Sequence, residues 1–153
     1  MATESDHISL ANRNHAALLC LLREENAAHP EWIATISFYK AVHIVEAVFA
    51  TRHSRHSNCH DTRLSELKHP DFSDLFKAYR PLYVASLVAR YLEASGARYK
   101  SFSDYMTLDS VKKTLLLRRL RAVEEQSIRF LTPSGAASLQ RIANAGIAVA
   151  ATE

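Results

Sequence analysis

Pro30-Glu-Trp-Ile-Ala-Thr-Ile-Ser-Phe-Tyr-Lys-Ala-Val-His-Ile-Val-Glu-Ala-Val-Phe-Ala50 decides the fold. Its apolar residues, among them Trp32, Ile33, Phe38, Val42, Val45 and Phe49, fall on more than one face of a helix. A helix that is apolar on several sides must be wrapped by others, so the stretch predicts a central helix over about Pro30–Ala50. Its proline sits in the first turn, where a missing N–H costs nothing.

Upstream, Leu10, Ala16, Leu18, Leu19, Leu21 and Leu22 recur at helical spacing and predict a first helix over about Asp6–Ala28 with Asp6 as N-cap, ended by His29-Pro30. Downstream, Phe72, Leu75, Tyr79, Leu82, Tyr83, Val88 and Tyr91 form one stripe. Pro81 is expected to kink or divide that helix, and Ser95-Gly96 to close it. Ala97–Met106 reads as a loop with aromatic anchors. Thr107 or Asp109 then caps a helix carrying Val111, Leu115, Leu120 and Val123. After the break at Thr132-Pro-Ser-Gly135, an Ala-rich last helix is expected over about Ala136–Ala151. The fold class is therefore all-α: an up-down bundle of about four to five helices in one domain over 1–153, with its core about 6–131.

Composition agrees. The 153 residues are 48% hydrophobic and 23% charged with three glycines, which suits a single helical core. A net charge of +3 tolerates nucleic acid without demanding it. Two cysteines, Cys20 expected in the core and Cys59 in a polar stretch, give no disulfide framework. The start Met-Ala-Thr-Glu-Ser-Asp lacks a basic stretch followed by an apolar one, and charged residues cut the apolar runs. A soluble cytoplasmic protein with no membrane association is expected.

The polar stretch after the central helix holds the candidate chemistry. Thr51–Arg63 contains His53, His56, His60, Arg52, Arg55 and Arg63 and no Val, Ile, Phe or Trp. Such a segment displays groups that bind phosphate or transfer protons. In it His60 is the candidate acid or base, with Arg55 or Arg63 stabilising phosphorane charge; the competing structural role is a helix-capping His60 paired with Asp61 or Glu66. His53, His56, Cys59 and His60 carry donors suited to zinc or nickel, but no distant second pair closes a tetrahedral site, so no metal and no cofactor is assigned. His43 either faces a pocket with Arg90 and Tyr91 or is a hydrogen-bonded core histidine. Glu46 and Arg90 interrupt apolar helices and require partners, which each supplies for the other in the simplest arrangement.

His29-Pro-Glu-Trp32, Phe38-Tyr-Lys-Ala-Val-His-Ile-Val-Glu-Ala47, His56-x-x-x-His60-x-x-Arg63 and Tyr79-x-x-Leu82-Tyr83-x-x-Ser86-x-x-Ala89-Arg90-Tyr91 occur in that order. Together they resemble small bacterial HEPN-domain proteins (higher eukaryotes and prokaryotes nucleotide-binding), over about Asn12–Val123. The resemblance implies a four- or five-helix bundle, commonly dimeric, whose active members are metal-independent ribonucleases with an Arg, four to six residues, then His. Arg55-His-Ser-Asn-Cys-His60 satisfies that spacing, although it follows the second helix rather than opening a late one. On this reading Arg55, His60 and Arg63 are catalytic and His56, His43 and Arg90 bind. The partners implied are a second copy of the chain, RNA or a nucleotide, and an antitoxin-like protein. The alternative is a non-catalytic dimerisation or protein-interaction module on the same fold.

Overall fold

The computed structural model describes residues 2–23, 29–53, 56–144 and 147. The first helix, α1, spans Glu4–Leu21 and begins earlier than expected because Thr3, not Asp6, is its N-cap. The Thr3 hydroxyl accepts the Asp6 N–H at 3.2 Å while the Asp6 carboxylate accepts the Thr3 N–H at 2.7 Å, a reciprocal pair that satisfies two otherwise open donors. Its buried face is His7, Ile8, Ala11, His15 and Leu18, so Ala16 and Leu19 of the expected stripe point outward.

The central helix α2 runs over Pro30–His53 and is buried almost all round. It is long and apolar enough to cross a membrane, yet 78% of its most apolar window is buried inside the protein. α1 lies along one side, the helix over Ser73–Tyr91 along another, and the late helix closes against it.

After α2 come α3 over His60–Leu67, a 3-10 turn at Pro70–Phe72, and α4 over Ser73–Tyr91. Pro81 does not divide α4. It removes one bond, to the carbonyl of exposed Lys77, and the burial of Leu82, Ala85 and Val88 beyond it keeps the helix intact. Leu92 caps α4 in the left-handed region at φ 54°.

Ser95-Gly96 has a different role from the one expected. Both have positive φ, 51° and 80°, and form the two-residue turn between β1, Glu93–Ala94, and β2, Ala97–Arg98, with Ala94 opposite Ala97. The expected loop over Ala97–Met106 thus contains a strand and the single turn α5, Phe102–Tyr105.

The late helix is continuous through three geometries: α6 over Leu108–Ser110, capped by Thr107 as expected, a π-helical stretch over Val111–Leu120, and α7 over Arg121–Ser127. The last helix, α8, spans Pro133–Ser138, capped by Thr132, and a 3-10 turn follows at Ile142–Asn144. The helix expected over Ala136–Ala151 therefore stops early; residues 145, 146 and 148–151 of it lie outside the described residues.

The end of the chain is fastened to its start. The Asn12 amide donates to the Ser138 carbonyl and its oxygen accepts the Gln140 N–H, both at 2.9 Å. Glu4 accepts from the hydroxyls of Thr51 and Thr132 at 2.6 and 2.8 Å, joining α1 to α2 and α8. Gly135 leaves room for this carboxylate: a Cβ would lie 1.6 Å from a Glu4 oxygen, so a larger residue would displace the Glu4 side chain.

A second fastening lies in the core. The Lys40 ammonium meets Glu124 Oε1, His15 Nδ1 at 2.9 Å and the Gln140 carbonyl at 2.8 Å. Glu124 Oε2 accepts the Ile142 N–H at 2.8 Å. Burial pushes Lys40 down and Glu124 up, while their mutual attraction opposes both shifts. Three polar neighbours around one nitrogen satisfy all of its hydrogen-bonding capacity in the core.

Candidate functional site

Glu46, three residues after His43 on α2, is the hub of the polar cluster. Its Oε1 accepts Arg63 Nε at 2.8 Å and the Ser57 hydroxyl, and its Oε2 accepts the Ser57 N–H at 3.1 Å. Burial alone would raise this carboxyl, but the Ser57 hydrogen bonds and the Arg63 charge outweigh it and hold the group below its ordinary range. Glu46 is thus partnered by Arg63, seventeen positions on, and not by Arg90 as the simplest expectation had it.

Arg63 is buried, and its second reach defines the site. While Nε holds Glu46, Nη1 contacts His60 Nδ1 at 2.8 Å. His60 opens α3 after Cys59, whose side chain makes no cap bond, and His60 pairs with Arg63 instead of Asp61 or Glu66. Because a guanidinium only donates, His60 Nδ1 must carry the lone pair and Nε2 the proton. Burial and the charges of Arg63 and Arg90 lower the His60 pKa, which keeps the ring neutral.

His60 packs at a tilt against Phe38 and Tyr83, with ring centres 5.2 and 5.7 Å away. Arg90 lies against the same Phe38 ring and those of Tyr39 and Tyr91, at 5.9, 5.9 and 5.1 Å. Its hydrogen bonds go to the Ser86 carbonyl and hydroxyl and, at 3.5 Å, to the Tyr39 hydroxyl, so the described residues give it no carboxylate. Tyr91 is 65% exposed and Trp32, at the start of α2, 56% exposed. Trp32, one of the apolar residues from which a fully wrapped central helix is expected, is therefore not core within one chain.

On the other side of Glu46 lie three imidazoles. His56 Nδ1 is 3.4 Å from Glu46 Oε2 and 3.0 Å from His7 Nε2. The His43 ring centre is 5.8 Å from that of His7. Burial lowers the pKa of both His7 and His43, reinforced by His56 for the first and Arg63 for the second.

The structure therefore brings His60 and Arg90 to Phe38, with Arg63 bonded to His60, and His43 and His56 around His7. Arg55 lies outside the described residues. His53 and Cys59, weighed for zinc with His56 and His60, go elsewhere: Cys59 contacts Thr62 at 3.3 Å and His53 packs on Phe72. Cys20 is exposed rather than in the core. His7 was missed, although its spacing to Ala11, His15 and Leu18 on one helix face was available in the sequence. Comparisons with protein-family models, curated proteins and solved structures give no match for this chain.

Proposed function

We propose that this chain is a HEPN-like up-down helical bundle that binds single-stranded RNA or a nucleotide, as a homodimer, on the face where α2, α3 and α4 meet. One observation carries the reading: Arg90, a cation without a carboxylate partner among the described residues, is cradled on aromatic rings beside the N–H donor His60. A guanidinium so presented suits a phosphate, and Tyr91, Tyr39 and Trp32 offer faces on which bases stack. The sequence resemblance to HEPN-domain proteins supplies the same ligand class.

Binding is favoured over cleavage by the state of His60. A general base needs a free lone pair, and the one at Nδ1 is committed to Arg63. In a metal-independent ribonuclease Arg63 would have to release that nitrogen, with Arg55 supplying the second cation.

The test is fluorescence anisotropy with a labelled single-stranded RNA of about 20 nucleotides and with nucleoside monophosphates, alongside light scattering for the dimer. Arg90→Ala should weaken binding about tenfold or more with its helical spectrum unchanged. Cleavage that persists in EDTA, leaves 2′,3′-cyclic phosphate ends and disappears in His60→Ala would promote the site to a ribonuclease. A dimer that binds no RNA or nucleotide would establish the interaction module instead.

A further inference from the structure

We propose that His7, Glu46 and His56 form a binding site for one divalent transition-metal ion of the zinc class, with His43 beside it. The donors come from three separate places: α1, α2 and the segment between α2 and α3. One ligand atom from each lies within 4.8 Å of the others, and the closest approaches are 3.0 Å between the two histidines and 3.4 Å between His56 and Glu46. Around a tetrahedral zinc with bonds of about 2.0–2.1 Å, ligand atoms stand about 3.3 Å apart, so little movement is needed to admit the ion.

The atoms that would hold the ion are His7 Nε2, His56 Nδ1 and Glu46 Oε2, which face one another. The opposite ring nitrogens, His7 Nδ1 and His56 Nε2, and His43 Nδ1 are buried and make no hydrogen bond among the described residues, so they leave the ligand-facing nitrogens free to carry the lone pairs. His7 itself is only 8% exposed. Glu46 is oriented as a ligand: Arg63 and the Ser57 hydroxyl hold Oε1, while Oε2, which also accepts the Ser57 N–H at 3.1 Å, faces His56, the arrangement by which outer partners orient a coordinating carboxylate. Two imidazoles and one carboxylate select a borderline ion such as zinc, cobalt or nickel over magnesium or calcium.

Such an ion would pin α1 to the segment leading into α3. It shares no ligand with the proposed RNA face, since His60 and Arg90 do not hold the ion, although Arg63 touches both Glu46 and His60, and each property is measured separately.

The experiment uses the full chain, stripped with a chelator and dialysed, then titrated with zinc chloride by calorimetry, with bound metal counted by elemental analysis after gel filtration. One zinc per chain is expected, together with a higher thermal midpoint. His7→Gln and His56→Gln should each weaken uptake about tenfold to a hundredfold, and His53→Gln, at an exposed histidine, should leave it unchanged. Cobalt(II) on the unmutated chain gives a readout that needs no variant to fold: intense visible bands of a four- or five-coordinate ion are expected. Failure to take up zinc, an equal loss in His53→Gln, or the weak spectrum of six-coordinate aqueous cobalt would overturn the site.

Discussion

Lys40 and Glu124, 84 residues apart in the chain, form an ion pair with side chains 0% and 1% exposed. Removing one partner strands the other in the core. Lys40→Met should therefore cost about 3–5 kcal/mol, whereas Lys40→Met with Glu124→Leu should recover much of that loss. Urea unfolding of the two single variants and the double variant reads both values, and additive losses would show that the pair is not coupled.

His15 supplies a pH dependence. Burial, followed by the charge of Lys40, lowers its pKa to about 4 from the ordinary 6.5. The unfolded chain takes up this proton first, so stability is complete above about pH 6.5, falls as pH drops towards 4 and then levels. From this group the fall amounts to at most about 3 kcal/mol. The difference in unfolding free energy between the parent and His15→Gln, followed from pH 7 to 4, isolates it; a constant difference would refute the assignment.

Phe38 and Tyr83 should separate in a truncation experiment. Phe38 is fully buried and its ring meets those of His60, Tyr79 and Tyr83, so Phe38→Ala should cost about 3–5 kcal/mol. Tyr83 is half-buried, and Tyr83→Ala should cost about 1–2 kcal/mol. Equal losses measured in the monomer would mean that the Tyr83 ring is more enclosed than its position on α4 indicates.

Gly135→Ala sets two effects against each other. Alanine favours the helix by about 1 kcal/mol, but its methyl must drive Glu4 off Thr132, which costs about 1–3 kcal/mol. A net loss is expected in the parent and a net gain in a Glu4→Ala background. Thermal unfolding of the four chains measures the reversal.

What the sequence disclosed follows from range. The helices were legible because apolar spacing and caps such as Thr107 and Thr132 are local signals. Pro81 misled because its cost is local while the packing of Leu82 and Val88 that offsets it is not. Ser95-Gly96 carried a turn signal, but a left-handed leucine at 92 had already ended the helix. At the site, the polar run before Arg63 was visible, as was the need of Glu46 for a partner. The pairing of Glu46 with Arg63, and the arrival of His7 at His56 from 49 residues away, are tertiary events with no trace in either segment alone.

The clasps between α1 and the segment around α8 span 126 and 128 residues of chain. Closing so long a loop is costly until the bundle has already brought its ends together, so these contacts belong to the last stage of folding. They should therefore govern how quickly the protein comes apart more than how quickly it forms. Weakening Asn12 or Glu4 would steepen unfolding kinetics and leave the refolding rate nearly untouched.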